Sequence, residues 1–375
     1  MKIYRTTSLV WTFLWLAACS LSVDVSEPTP TPLPPTPTSP PASPPVDVTS
    51  AEVTPEVTAV SPTPDVPWAG RGLTGGLLVM LNPQGPVFLV EVDLETGEQR
   101  TIYTFPEGSI VTAAEMSPDG EQILLAYVPP AEDPAATSYL GLYLLPADGS
   151  GDPVAVLDQA ELQHSLFHPS WSPDGNYIYY SRFIVSGVES KINVERIAYP
   201  DGEPELLVED AYWQKLSPDG ARMVYVTSGI GAGSSTNELY VADADGGNAT
   251  RVIQGEGFTI VDAPVFSPDG EQILFSVPES EAPPSPLSWL DRLMGVRVAR
   301  AHDVPSDWWI VSLADGQPRR LTSLLTTSLY GDFSPDGRHI ASIFVVGLFV
   351  MNADGTDLQF IGLDSLPFGT LDWVP

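Results

Sequence analysis

Five copies of one tetrapeptide, Ser-Pro-Asp-Gly, at 117–120, 172–175, 217–220, 267–270 and 334–337, constrain the fold of this chain more than any other feature. A large apolar residue precedes each copy: Met116, Trp171, Leu216, Phe266 and Phe333. Proline fixes φ at the second turn position, aspartate can bond its own backbone, and glycine accepts positive φ. Each copy therefore reads as a tight connection between two antiparallel strands. Strand-like runs follow, such as Tyr177-Ile178-Tyr179, Met223-Val224-Tyr225 and Ile273-Leu274-Phe275. A second turn then recurs: Ala147-Asp148-Gly149, Pro200-Asp201-Gly202, Ala244-Asp245-Gly246, Ala314-Asp315-Gly316 and Ala353-Asp354-Gly355. Asp-Gly between alternating strands is a strong hairpin signal. Each unit thus holds four antiparallel strands, which is one propeller blade.

Both ends of the folded region supply a sixth blade. The terminal Leu371-Asp372-Trp373-Val374-Pro375 matches the first strand of a unit and stops where its turn would begin. The stretches 77–81, 87–92 and 98–102, with a turn at Glu95-Thr96-Gly97, supply the other three strands. A blade built from both ends closes the ring and removes exposed sheet edges. The expected fold is all-β: a six-bladed propeller of four-stranded antiparallel blades over 75–375. Radial repetition also explains how so long a stretch folds as one domain, because each small sheet needs only its neighbours.

The repeats resemble the WD-like repeats of the TolB-like propeller family, which also occur in propeller domains of prolyl oligopeptidase relatives. The resemblance rests on the apolar-Ser-Pro-Asp-Gly element and the Asp-Gly hairpin after it, and covers about residues 75–375. It implies the fold and leaves the activity open, since unrelated activities share such scaffolds.

Ahead of the repeats the texture differs. Met1-Lys2-Ile3-Tyr4-Arg5, an apolar run to Ala18 and then Cys19 follow the order of an export signal. Leu16-Ala17-Ala18-Cys19 resembles the lipobox of bacterial lipoproteins, which implies cleavage before Cys19 and a diacylglycerol on its sulfur. The run is shorter than the roughly 20 residues needed to cross a hydrocarbon core. As the only cysteine, Cys19 can form no internal disulfide. Residues 1–18 are read as a lipoprotein signal peptide and 19–67 as the lipidated cysteine with a tether. Fourteen prolines between 21 and 67, with no Lys or Arg there, favour extended polyproline II. At about 3.1 Å per residue such a stalk spans on the order of 140 Å.

The chain carries 48 acidic against 16 basic residues, a net charge of −32. That field repels nucleic acid, whose binding rests on Lys and Arg neutralising phosphates. It suits a solvated extracytoplasmic surface, a cationic partner or bound divalent ions, without choosing among them.

The first strand of each blade borders the central channel, so charges there carry most weight. The aligned positions before the apolar residue are Glu115, Ser170, Lys215, Val265, Asp332 and Asp372. Glu115, Lys215, Asp332 and Asp372 are the candidate channel-lining contacts, to a polar ligand or a cation such as calcium. The aspartates of the Ser-Pro-Asp-Gly turns are read as turn holders and not calcium ligands, since an EF-hand needs acids alternating through one continuous loop. His164 and His168, four apart in an expected loop, name no metal site. No catalytic residue and no resident cofactor is assigned.

The short turns all fall on one face of the disc, and the extra length falls on the other, at 127–138, 183–191, 228–236 and 277–307. Within the longest insertion a short helix is expected, with Ser285 as cap and Pro286 at its first position. Trp289, Arg292, Arg297 and Arg300 are its candidate partner contacts. The functional reading is a membrane-anchored extracytoplasmic lipoprotein at the cell surface whose propeller binds or scaffolds an envelope protein, peptide or glycan. The alternative is a propeller enzyme, a carbohydrate lyase, hydrolase or cyclase, working at the channel mouth.

Overall fold

The five Ser-Pro-Asp-Gly elements fold into the same turn. In the first, the Ser117 hydroxyl donates to Asp119 Oδ1 at 2.6 Å and accepts from Gln122 N–H at 2.9 Å, while Glu121 N–H donates to Asp119 Oδ1 at 3.0 Å. The other four repeat these three bonds, and all five glycines have φ between 69° and 73°. The serine and aspartate side chains of the motif are therefore used locally, which is why the tetrapeptide repeats while the strands around it vary.

The computed structural model describes residues 72–374 apart from 83, 132–138, 158–163, 187–188, 229–236, 254–257, 259, 279–305, 325–328 and 345–346. Signal, Cys19, tether, and the expected helix with Trp289, Arg292, Arg297 and Arg300 lie outside the described residues. The described chain is all β, and no helix in it is long and apolar enough to cross a membrane.

Three strands come first: β1 (Gly76–Leu81), β2 (Phe88–Asp93) and β3 (Gln99–Thr104). Blade I is β4 (Ile110–Met116), β5 (Gln122–Val128), β6 (Gly141–Pro146) and β7 (Val154–Leu157). Blade II is β8 (Ser165–Trp171), β9 (Tyr177–Ser186), β10 (Glu189–Ala198) and β11 (Glu205–Val208). Blade III is β12 (Ala211–Leu216), β13 (Arg222–Thr227), β14 (Leu239–Asp243) and β15 (Thr250–Arg251). Blade IV is β16 (Asp262–Phe266), β17 (Gln272–Pro278), β18 (Ser306–Ser312) and β19 (Pro318–Arg320). Blade V is β20 (Tyr330–Phe333), β21 (His339–Phe344), β22 (Gly347–Asn352) and β23 (Gln359–Ile361). The last strand, β24 (Pro367–Val374), pairs antiparallel with β1, so blade VI has the order β24-β1-β2-β3. The ring closes through the two ends of the domain, with Leu77 opposite Trp373 and Val79 opposite Leu371.

Middle strands are covered on both faces by neighbouring blades, and their sequences are accordingly continuous apolar runs instead of alternating ones. All six residues of β1 are buried. Leu78, Met80 and Leu89 of blade VI pack with Ile123 and Leu125 of blade I, and Leu124 and Leu144 of blade I pack with Ile178 and Tyr180 of blade II. Hairpin turns add contacts between blades. Gly149 has φ of 74°, and a Cβ there would stand 2.1 Å from the Ile102 carbonyl oxygen of the preceding blade, so the position requires glycine twice over.

One connection differs from expectation. Residues 183–186 and 189–191 extend the β9–β10 hairpin, whose pairing runs from Tyr177↔Ala198 to Ser186↔Glu189. The innermost strand stops at the Ser165↔Phe183 pair, so the outer rungs run past it. The β-branched run Ile184-Val185 suits a strand, and this propensity outweighs the loop reading drawn from position alone.

Candidate functional site

The innermost strands β4, β8, β12, β16, β20 and β24 surround the axis, and their aligned polar positions meet there. Glu115 pairs with Lys215 across the channel, and the Asp332 and Asp372 carboxylates are close enough to act on the same ammonium. All four channel positions named from the sequence are thus brought into one cluster. Lys215 is enclosed by protein yet keeps 36% of its side-chain surface accessible, as expected for a group facing a water-sized channel.

The acids also bond the next blade. Glu115 Oε1 accepts from Trp171 N–H at 2.8 Å, joining blade I to blade II. Asp332 Oδ2 accepts from Trp373 N–H at 3.2 Å, joining V to VI, and Asp372 Oδ2 accepts from Met116 N–H at 2.8 Å, joining VI to I. In each case the acceptor sits one residue before its own blade's apolar residue and the donor is the apolar residue of the following blade. Ser170 and Val265, at the same position in blades II and IV, cannot make this reach: one is too short, the other apolar. The two-ended blade VI is therefore stitched on both sides.

Enclosure sets the electrostatics. Burial pushes the Asp332 carboxyl up to about 6, against the pull of Lys215 and two backbone N–H donors. Burial, then the neighbouring Glu115 and Asp332 charges, raises Asp372 as well. Burial works against the Lys215 ammonium, but Glu115, with Asp372 and Asp332 beyond it, outweighs burial and holds its pKa above the ordinary lysine value. Among the described residues no group of three or more His, Cys, Asp or Glu side chains is placed to hold a metal ion. The channel acids are engaged with Lys215 and backbone donors, an arrangement that does not fit a calcium site with six or more oxygens.

A second layer lies toward the long connections. His168 stacks on Trp213 at 3.6 Å between ring centroids and 16° between planes, and Trp213 meets Tyr330 at 5.6 Å. His168 and Trp213, together with Ala263, occupy equivalent bulge positions with φ of 51°, 55° and 46°. Left-handed backbone at non-glycine residues costs about 1 kcal/mol or more each. Bulges re-aim side chains, and here they turn an aromatic layer into the channel. Gln214 fixes the layer, donating to His168 O at 2.5 Å and accepting from Ser181 Oγ at 2.7 Å. Asp262 is buried in the neighbouring strand, and burial lifts its carboxyl to about 8 against one bond from Ala263 N–H.

This layer was not anticipated. His168 reads from sequence as a loop histidine, whereas it lies in β8. A left-handed bulge at His, Trp or Ala leaves no glycine or asparagine to announce it. The space between the two layers, bounded by His168, Trp213, Tyr330, Glu115, Lys215 and Asp332, is about 40 Å³. That holds a few water molecules, against some 300 Å³ or more for a small-molecule pocket.

No protein-family model matches the sequence, and no curated protein matches it. Solved structures do. TolB from Acinetobacter baumannii is 16% identical over 80% of this chain and 67% of its own, with a TM-score of 0.58. A TolB described as putative, from Agrobacterium tumefaciens, is 21% identical over 81% of this chain and 100% of its own, with a TM-score of 0.51. At such identity the likeness establishes the TolB-like six-bladed fold and nothing finer.

Proposed function

We propose that this chain is a lipid-anchored extracytoplasmic binding module that captures an envelope protein or peptide on the face carrying the channel mouth and the long connections. One observation carries the reading. Three strained bulges and an aromatic stack are held at that mouth, above a charge cluster too tightly closed to admit a substrate. Strain of this kind persists where the surrounding structure requires it, commonly at binding sites. The projecting β9–β10 hairpin supports the same face: at about 3.3 Å per residue its rungs beyond Phe183 reach on the order of 10 Å past β8, with Val185 56% exposed. The lipobox ending in Cys19 and the acidic, proline-rich tether support membrane anchorage away from the bilayer surface.

Capture tests the reading. The full chain, immobilised, is incubated with envelope extract as wild type, as Val185→Asp and as Phe360→Asp. Phe360 is similarly exposed, at 51%, but lies on the outer strand β23. A partner retained by wild type and Phe360→Asp but lost by Val185→Asp is expected. Equal capture by all three contradicts the assignment of the face. Turnover of an envelope glycan by the purified chain, abolished by Trp213→Ala, favours the enzyme alternative instead.

A further inference from the structure

The upper part of blade II is a two-stranded ribbon with bare edges. β8 covers the inner edge of β9 only as far as Phe183, and β11 covers the outer edge of β10 only from Val194. Among the described residues, no strand continues the line of β11 beside 189–193. The chain itself turns out of that line at Asp210, whose φ is 51°, to begin β12 of blade III. Two bonds hold the exit. Asp210 N–H donates to Asn193 Oδ1 at 3.3 Å, and Asp210 O accepts from Ser228 N–H at 2.7 Å.

The ladder decides which main-chain groups face that open line. In an antiparallel pair, residues alternate between facing the partner strand and facing away from it. Tyr199 N–H donates to Asn176 O at 2.8 Å, so Tyr199 faces β9. Counting back in twos along an unbroken register, Asn193, Lys191 and Glu189 face β9 too, while Val194, Ile192 and Ser190 face outward. Val194 meets Val208 of β11. Ser190 and Ile192 thus present two N–H donors and two C=O acceptors along one edge. Side chains sort by the same register. Ser190 stands opposite Val185 and Ile192 opposite Phe183 on one face, and Lys191 stands opposite Ile184 on the other. Ile192 packs against the core shared by blades III and IV, Val185 is exposed, and so is Lys191.

We propose that this edge takes up one extended segment of the captured partner as an added β-strand, in line with β11. The inference rests on the capture reading above and names how the partner is held. In such strand addition, main-chain pairing supplies affinity and alternate side chains supply selectivity. A segment on this edge sets every second residue beside Val185 and Ile192, where an apolar side chain gains burial. The residues between them lie beside Lys191, where an acidic side chain is matched in charge. The partner segment is therefore an alternation of apolar and acidic residues. The chain's net charge of −32 does not forbid it, because that field is screened beyond about 8 Å at physiological salt.

Fluorescence anisotropy of the full chain with synthetic peptides tests the proposal. One probe alternates valine with glutamate, a second alternates valine with threonine, and a third is the first N-methylated at every second residue, which blocks strand pairing. The glutamate probe is expected to bind about threefold tighter than the threonine probe, and the N-methylated probe not at all. Ser190→Pro removes an outward N–H and no β9–β10 bond, a change that a strand edge tolerates, and should weaken binding roughly tenfold. Ser190→Ala keeps that N–H and should bind within about twofold of wild type. Hydrogen exchange on the wild-type chain needs no variant: the glutamate probe should slow the Ser190 and Ile192 amides about tenfold. In the envelope capture experiment, a partner lost by Val185→Asp but kept by Ser190→Pro would leave the capture face standing and remove the added strand. No binding of the glutamate probe, equal binding of either control probe, unchanged affinity in Ser190→Pro, or amides that are not slowed would each overturn the proposal.

Discussion

At the short turns Asp119, Asp174, Asp219, Asp269 and Asp336 accept a serine hydroxyl first and a backbone N–H second, and all are held below the ordinary aspartate value. In the interior Asp262, Asp332 and Asp372 also accept backbone N–H bonds, yet burial comes first and all are held above it. One side chain is thus used in two ways within the same blades. In solvent the carboxylate is a local clamp whose charge costs little. In the channel Asp332 and Asp372 each span two blades, and their charge is opposed by enclosure and tolerated through Lys215, whereas Asp262 bonds the Ala263 N–H of its own strand. The turn acids are interchangeable parts of a repeat, whereas the channel acids are individual and concentrated around the blade that closes the ring.

The largest expected effect comes from removing that closure. Deleting 371–375 takes away Leu371 and Trp373, both buried, together with the Asp372 bond to blade I. Lost burial and an opened edge should lower the thermal midpoint by about 10 °C or more. A truncated chain melting like wild type would mean that the ends of the domain do not hold the ring.

Next in size is the cluster itself. Glu115→Ala strips the ion pair from Lys215 and the acceptor from Trp171 N–H. Breaking an enclosed pair on one side is expected to cost about 3 kcal/mol, and Glu115→Gln combined with Lys215→Met should recover most of it. If the double variant is no better than the single one, Glu115 acts through packing and not through the pair.

A pH profile separates the two acid populations. Raised carboxyls give stability that is complete below their unfolded values near 4 and lost as pH climbs through about 6 to 8. The lowered turn acids do the reverse, giving stability present above about 4 and lost in more acidic solution. The thermal midpoint should peak near pH 5 and fall by about 5 °C toward pH 8.5, with Asp332→Asn flattening the alkaline side. A midpoint that rises steadily from pH 5 to 8.5 would contradict the channel assignment. The smallest effect belongs to a single turn: Asp269→Ala should shift the midpoint by only about 2 °C, because one exposed clamp among five is lost.

What was legible in the sequence follows the same division. The turns were readable because their chemistry is local: each tetrapeptide carries its own donor, acceptor and positive-φ glycine. Alignment on those turns then placed Glu115, Lys215, Asp332 and Asp372 on the axis, since register in a blade counts outward from its turn. The reach of each acid into the following blade was not readable, because the donor lies 41 to 256 residues away. Nor was the aromatic layer, since bulges at His168 and Trp213 depend on neighbours and not on residue type. Asp262 was missed because Val265, not an acid, occupies the aligned position of blade IV.

The claim that most needs testing is the division of labour between the two faces. A photo-reactive residue is placed at Val185 on the projecting hairpin, or at Asp354 in a short turn, and the full-length protein is irradiated in intact cells. The account predicts a discrete adduct from position 185, none from position 354, and loss of the adduct when Trp213→Ala is added. Adducts from position 354 and none from 185 would put the working surface on the short-turn face and contradict the account.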